Sequence, residues 1–227
     1  MSEPRRIICV GRNYADHVRE MGNAPPTWPE TFLRLSSTVI GPDDPILIPA
    51  VSEQVDYEGE LGVVIGTAGR HIPATDAERH IRGYTIANDV SVRDWQRRGQ
   101  QFTPGKNFDA TLPVGPTVVP ADELDWRSLK LETRHNGETV QSATTDQLIF
   151  DVPALIEFIS SWTTLEPGDL IITGTPGGVG AARTPPLWLK PGDVVEVEIE
   201  GIGVLRNPVA RDDLPAATDR WSGAAAE

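Results

Sequence analysis

The stretch LKLETRHNGETVQSA, residues 129–143, decides the class of fold. Two strand-forming runs flank Asn136-Gly137, a pair that accepts the positive φ angles of a type I′ turn, and the segment therefore reads as a β-hairpin. Farther along, Pro167-Gly168-Asp169 and Pro191-Gly192-Asp193 make turns that feed the apolar runs LIITG and VVEVEIEG, two further strands. Between hairpin and first turn, Asp151 to Trp162 reads as a helix, with Pro153 in its first turn and Val152, Leu155, Ile156 and Ile159 on one face. Working back toward the N-terminus, Gly83 to Asn88 is a strand, followed by a helix start at Ser91-Val92-Arg93-Asp94 that stops by Gly99. Thr75-Asp76-Ala77-Glu78 fits a capping box opening a short helix. EGELGVVIG, from Glu58, is a strand with acids at one end and aliphatics at the other. Pro42 to Pro49 is a turn and an apolar strand, Asn13 to Met21 a short helix stopping near Gly22, and Arg6 to Val10 a strand. Many short strands and few helices predict an α+β architecture dominated by antiparallel or mixed sheet.

A length of 227 residues, 39% of them hydrophobic, suits one compact domain, expected over residues 1–210, with a loosely held tail over 211–227. No run of about 18 apolar residues appears and the first residues lack a signal-peptide pattern, so a cytoplasmic location is expected. The single cysteine, Cys9, lies in an apolar run and reads as a core residue. A net charge of −13 repels nucleic acid and anionic membrane surfaces, so neither is an expected partner. Local cations or a metal can still reverse that field inside one cleft. Only Lys106, Lys130 and Lys190 are lysines among the 20 basic residues, which singles each of them out.

Glu58 and Glu60 are two residues apart in a strand, so their side chains leave the same face. Like charges this close raise one another's pKa, and the aliphatics that follow carry the strand into the core. Two partly buried carboxylates stay ionised only beside a cation, and a divalent metal concentrates the most charge. Asp89, at the far end of GYTIAN, offers a third oxygen ligand. Three carboxylates without a cysteine cluster point to Mg²⁺ or Mn²⁺ before zinc. The spacing alone admits as readily an edge strand whose two glutamates face solvent, each paired with an arginine.

The stretch NDVSVRDWQRRGQQFTPGKNFD, residues 88–109, breaks the tie. Arg93 and Gln96 lie three apart on the short helix after Asp89, on one face and close to the candidate metal acids. Lys106 follows on a loop bounded by Pro104, Gly105 and Asn107. Taken singly, Arg93 and Lys106 are ordinary surface ion-pair residues; gathered beside a metal, they can hold and orient a carboxylate substrate. His17 and Glu20 are also three apart on a helix, so the carboxylate can orient the imidazole and raise its basicity. His71, His80 and His135 read as surface residues. There is no G-x-S-x-G elbow, and neither TGTPGGVG nor PGKN matches a nucleotide-binding loop.

CVGRNYADHVREMG, VDYEGELGVVIG, NDVSVRDWQ, PGKNFD, LIFDVPALIEFIS and PGDLIITGTPGGVG occur in that order, and together resemble the fumarylacetoacetate hydrolase family over roughly Ile7 to Val209. The resemblance implies a mixed β-sandwich roll with a few short helices, like the C-terminal domain of that family, and a homodimer. It implies Mg²⁺ or Mn²⁺ on Glu58, Glu60 and Asp89, and a catalytic dyad, His17 and Glu20, on a segment that orders over substrate. Arg93, Gln96, Lys106 and Thr175 match positions that the family uses around the substrate. Two departures stand out: DYEGE carries Tyr57 where others have a histidine, and ARTPPLWLK, at 182–190, lengthens one loop.

The leading expectation is a hydrolase that cleaves the C3–C4 bond of a 2,4-dioxo acid, an acylpyruvate, through a metal-stabilised enolate. His17, oriented by Glu20, would activate the attacking water, while Lys106 and Gln96 stabilise the oxyanion or orient the leaving enolate. The same electron sink serves decarboxylation of oxaloacetate, or isomerisation and decarboxylation of unsaturated diacids, and these are the alternatives. From another class, a non-catalytic metal or metabolite binder has the same metal acids but no need of the dyad or Lys106.

Overall fold

The structure, a computed structural model, describes residues 4–214, so the expected tail beyond 214 lies outside the described residues. Its N-terminal third contains β1 (Ile7–Gly11), α1 (Ala15–Glu20), β2 (Glu30–Arg34), β3 (Val39–Ile40), β4 (Ile46–Ile48), β5 (Val55–Asp56) and β6 (Gly59–Ile65). There follow β7 (Ile81–Asn88), β8 (Ser91–Val92), α2 (Arg93–Gln96), α3 (Thr103–Lys106) and β9 (Leu112–Pro120). The remainder is β10 (Lys130–His135), β11 (Glu138–Thr144), α4 (Val152–Trp162), β12 (Leu170–Ile172), β13 (Val194–Ile199) and β14 (Gly203–Arg211).

The strands form a seven-stranded mixed sheet in the order β2-β1-β12-β6-β7-β9-β3 and a five-stranded sheet in the order β11-β10-β13-β14-β4. A short antiparallel pair, β5 with β8, lies beside the site. The architecture is the β-rich α+β arrangement expected. The deciding hairpin is β10–β11, with Asn136 at φ 52° and Gly137 at φ 85°, as a type I′ turn requires. Gly168 and Gly192 take φ of 90° and 94° in the two Pro-Gly-Asp turns ahead of β12 and β13.

Period-two alternation divides β6 between two environments. Leu61, Val63 and Ile65 face the core that the two sheets share with Val152, Leu155, Ile156 and Ile159 of α4. Val64 points the other way, into a cluster with Ile7, Cys9, Leu170 and Ile172, and Glu60 leaves from that same side. Cys9 is fully buried there, as expected of a core thiol.

Gly59, between the two glutamates, is where the sheets touch. A Cβ on it would lie 2.2 Å from Thr133 Oγ1 on β10 and 3.0 Å from Val197 Cγ1 on β13. Gly59→Ala is therefore expected to cost about 1–3 kcal/mol in denaturant unfolding through overpacking. A loss below about 0.5 kcal/mol, the range of a bland surface change, would show that the sheets can part there freely.

Several local expectations need correction. Thr75–Glu78 does not open an α-helix with a capping box: Ala74–His80 is a 3₁₀ helix without a side-chain cap. The Ala74 N–H is instead taken by Glu157 of α4, 3.1 Å away. Ser91 and Val92 belong to a strand, so the helix after Asp89 starts at Arg93. Lys106 ends a short helix rather than lying on a loop. His135 is no surface residue; it is buried on β10, stacked near Tyr57 and 2.8 Å from an Asp193 carboxylate oxygen.

Candidate active site

Antiparallel pairing of β6 with β7 sets Gly59 opposite Asn88, which brings Glu58 and Asp89 to neighbouring strand ends. The Asp89 N–H donates to the Glu58 carbonyl at 2.8 Å, and the Glu58 N–H to the Asn88 side chain at 2.9 Å. With Glu60 two residues on, all three acids are buried and offer oxygens within 4.8 Å of one another. The alternative of two solvent-facing glutamates is thereby removed.

Cations surround the acids. Arg93 Nη2 lies 2.6 Å from Glu58 Oε1, while its Nε donates to Asp56 at 2.9 Å. Lys106 Nζ is 2.5 Å from both Glu58 Oε2 and Asp89 Oδ2, so the ammonium bridges two of the three acids. Arg34, which the sequence reading passed over, forms a buried ion pair with Asp89 and donates to Thr111 Oγ1 at 2.6 Å. Four buried acids, Asp56, Glu58, Glu60 and Asp89, thus face three buried cations, Arg34, Arg93 and Lys106.

The deficit of positive charge falls on Glu60. Burial opposes ionisation of Glu58, but Arg93 and Lys106 outweigh it and bring its carboxyl down to about 2. Burial likewise opposes the Lys106 ammonium, yet Asp89 and Glu58 hold its pKa above the usual lysine range. For Glu60, burial and then the neighbouring charges of Asp89 and Glu58 push the carboxyl well above its usual range. Among the described residues its one hydrogen-bond donor is the Gly174 N–H at 2.5 Å. Three converging carboxylates, one of them short of a counter-charge, are a donor set that fits a hard divalent cation.

The Gly-rich loop TGTPGGVG, residues 173–180, proves to be a rack of backbone donors for carboxylates. Gly174 N holds Glu60, Gly178 N holds Glu20 at 2.7 Å, and Gly180 N holds Asp56 at 2.7 Å. Its glycines are needed for close approach: a Cβ on Gly178 would lie 2.1 Å from the Val140 carbonyl, and one on Gly180 1.9 Å from that of Leu187. Thr175, on the same loop, donates to the Gly59 carbonyl at 3.1 Å and accepts from Gln141 at 2.8 Å.

His17 is buried on α1, and its Nδ1 lies 2.9 Å from Glu20 Oε1. The helix is held at both ends: Asn13 just before it donates to the carbonyls of Phe150 and Thr173 at 2.9 and 2.8 Å, and Glu20, its last residue, accepts from the Gly178 N–H. A cleft of about 720 Å³ is lined by Glu58, Glu60, Asp89, His17, Lys106, Arg93, Gln96 and Thr175. Glu20 alone of the nine candidate residues does not line it; it stands behind His17. Gln96 accepts from Arg93 at 3.0 Å. The sequence reading missed Arg34, Asp56, Asn13 and Gln141, whose partners lie far off in the chain.

A profile of the fumarylacetoacetate hydrolase C-terminal domain matches residues 6–210. The chain is 48% identical over 212 residues to a mitochondrial oxaloacetate tautomerase of Bos taurus, covering 92% of this chain and 68% of that protein. Among solved structures, it resembles a 5-carboxymethyl-2-hydroxymuconate delta-isomerase from Mycobacterium smegmatis, at 42% identity and a TM-score of 0.84, over 93% of this chain and 81% of that one. A fumarylpyruvate hydrolase from Pseudomonas aeruginosa, solved with Mn²⁺ and pyruvate, gives 35% identity and a TM-score of 0.85, over 92% and 91% of the two chains. No helix among the described residues is long and apolar enough to cross a membrane. Six ordered motifs, a shared fold and a domain-length match agree: this chain belongs to the fumarylacetoacetate hydrolase family.

Proposed function

We propose that the protein is a divalent-metal-dependent enzyme that moves a proton on a 2-oxo acid of the oxaloacetate kind. Isomerisation or decarboxylation is its reaction, in preference to the C–C hydrolysis that the residues alone favoured. The observation that carries this reading is a buried His17, tied through Nδ1 to Glu20 and lining one cleft with three convergent acids. The correction toward proton transfer draws on relatives named tautomerase and isomerase at 48% and 42% identity.

Glu58, Glu60 and Asp89 would hold the cation, which would supply Lewis acidity to the enolate chemistry of a 2-oxo acid. The chain's own residues do the rest. With the Nδ1 proton donated to Glu20, His17 keeps a free lone pair at Nε2, which in isomerisation can take a proton from C3 and return it; in decarboxylation the C3–C4 bond breaks, CO₂ leaves, and the enolate takes a proton at C3. Lys106 keeps its charge and stabilises an oxyanion growing nearby. Gln96, whose side-chain oxygen accepts from Arg93, can turn its NH₂ to the carboxylate end and orient it, while Thr175, its hydroxyl donating to the Gly59 carbonyl, shapes the wall beside it. Taking a proton from carbon and taking one from water demand the same of an imidazole, so the dyad by itself does not choose between isomerase and hydrolase.

The deciding experiment follows the enol absorbance of oxaloacetate, and pyruvate release from oxaloacetate and acetylpyruvate, with Mg²⁺ and with chelator. The expected result is fast, chelator-sensitive enol–keto exchange or decarboxylation, with acetylpyruvate cleaved at least about a hundredfold more slowly, the range general acid–base placement commands. Preferential cleavage of acetylpyruvate returns the protein to the hydrolases, and oxaloacetate turnover indifferent to chelator removes the metal from the reading.

A further inference from the structure

Given a 2-oxo acid held by its 2-oxo carboxylate end at the acid cluster, we propose that Arg12 grips a second carboxylate at the substrate's distal end. The protein then selects 2-oxo dicarboxylates over monocarboxylates, a specificity that rests on the function proposed above.

Four cations line the cleft: Arg12, Arg93, Arg97 and Lys106. Arg93 and Lys106 are buried and already committed to Asp56, Glu58 and Asp89. Arg97 is exposed, with its guanidinium on the Gln54 side chain. Arg12 differs from all three. It follows the last residue of β1, with its side chain 29% exposed, and its backbone sits at φ 56°. Side chains other than Asn and Asp rarely take that left-handed conformation, so the fold holds an arginine at this point of the cleft wall at some conformational cost.

The guanidinium is already in use as a carboxylate fork. Arg12 Nε donates to Glu30 Oε2 at 2.5 Å and Nη2 pairs with Glu30 Oε1, the two-point geometry by which arginine recognises a carboxylate. Glu30 lines the same cleft with its side chain 34% exposed. With about a third of each side chain exposed, water reaches this pair and competes for both partners. A substrate carboxylate tethered by its other end arrives at high effective concentration and can displace Glu30 from the fork. Glu30 thereby serves as a placeholder that keeps Arg12 neutralised until a diacid enters.

The test is calorimetric titration of Mg²⁺-loaded protein with a length-matched pair, 2-oxoglutarate and 2-oxopentanoate. The wild type is expected to bind the diacid about tenfold more tightly, a modest return for one charge-assisted fork. Arg12→Asn, which suits the left-handed backbone, should bring that ratio close to one, and Glu30→Gln should raise it. Arg97→Gln serves as the control on the neighbouring cation. A ratio that collapses in Arg97→Gln but not in Arg12→Asn overturns the proposal, as does no preference in the wild type or no binding of either acid. Oxaloacetate turnover measured alongside keeps the two readings apart. An Arg12-dependent preference in a protein without turnover sinks the proposed reaction and not the assignment of Arg12, and turnover without the preference does the reverse.

Discussion

Glu60→Gln is expected to abolish divalent-metal binding and, in the same protein, to raise the stability of the metal-free form. The opposite signs follow from where charge is missing. Glu58 and Asp89 have Arg93, Lys106 and Arg34 as partners, whereas Glu60, among the described residues, is bonded only by the Gly174 N–H. Glutamine keeps an oxygen for Gly174, removes a buried and uncompensated charge, and leaves a two-acid site with a bridging ammonium. Replacing such a buried charge typically stabilises by about 1–3 kcal/mol, so the melting temperature with chelator should rise by several degrees. The pH dependence carries the same signature. Glu60's folded pKa lies above its unfolded value, so the stability it contributes is present at acid pH and is lost as pH rises through the folded pKa. Metal-free wild type should therefore lose stability on going from about pH 4.5 upward through that value, and Glu60→Gln should lose less. Calorimetric Mg²⁺ or Mn²⁺ titration and chelator-treated melts at several pH values read both halves. A variant that is destabilised, or that still binds metal as the wild type does, contradicts the charge account.

What was legible in the chain, and what was not, divides by distance. The β10–β11 hairpin could be read because its signal is local, a dipeptide with unusual φ tolerance. The convergence of Glu58 and Glu60 could be read because a strand alternates by two. Arg34 could not, since the acid that explains a buried arginine is 55 residues away, just past the end of β7. His135 carried a usable signal that the reading passed by: Leu131, Thr133 and His135 alternate along β10, and all three are buried. The helix ending at Lys106 hid behind Pro104-Gly105, which looks like a loop. Gly105 is there because a Cβ would lie 2.5 Å from the Gln96 backbone nitrogen, where α3 lies on α2. The loop 173–180 matches no nucleotide-binding motif, yet its N–H groups do hold anions, carboxylates of the chain itself. Glycine spacing reports that backbone donors are on offer; it does not report which anion they meet.

His17→Ala is expected to lower kcat by about a hundredfold to ten-thousandfold while leaving the metal affinity where it was, because His17 moves the proton and takes no part in the acid cluster. Glu20→Ala should cost less, since the imidazole remains and only its orientation is freed. Glu20→Gln is the sharper probe. The wild-type carboxylate accepts twice, from His17 Nδ1–H and from the Gly178 N–H. An amide has one oxygen, and the fixed backbone donor at 2.7 Å takes it, which turns the amide NH₂ toward His17. Nδ1 then accepts, the ring proton moves to Nε2, and the lone pair that should take the substrate's proton is gone. The near-isosteric variant should thus be at least as slow as Glu20→Ala, an order that a merely structural tie between α1 and the loop would not produce. Steady-state rates with saturating Mg²⁺, set beside metal affinities for all three variants, test it. A Glu20→Gln enzyme running at the wild-type rate would mean that the tautomer is not set by this carboxylate, and that His17 is not the base.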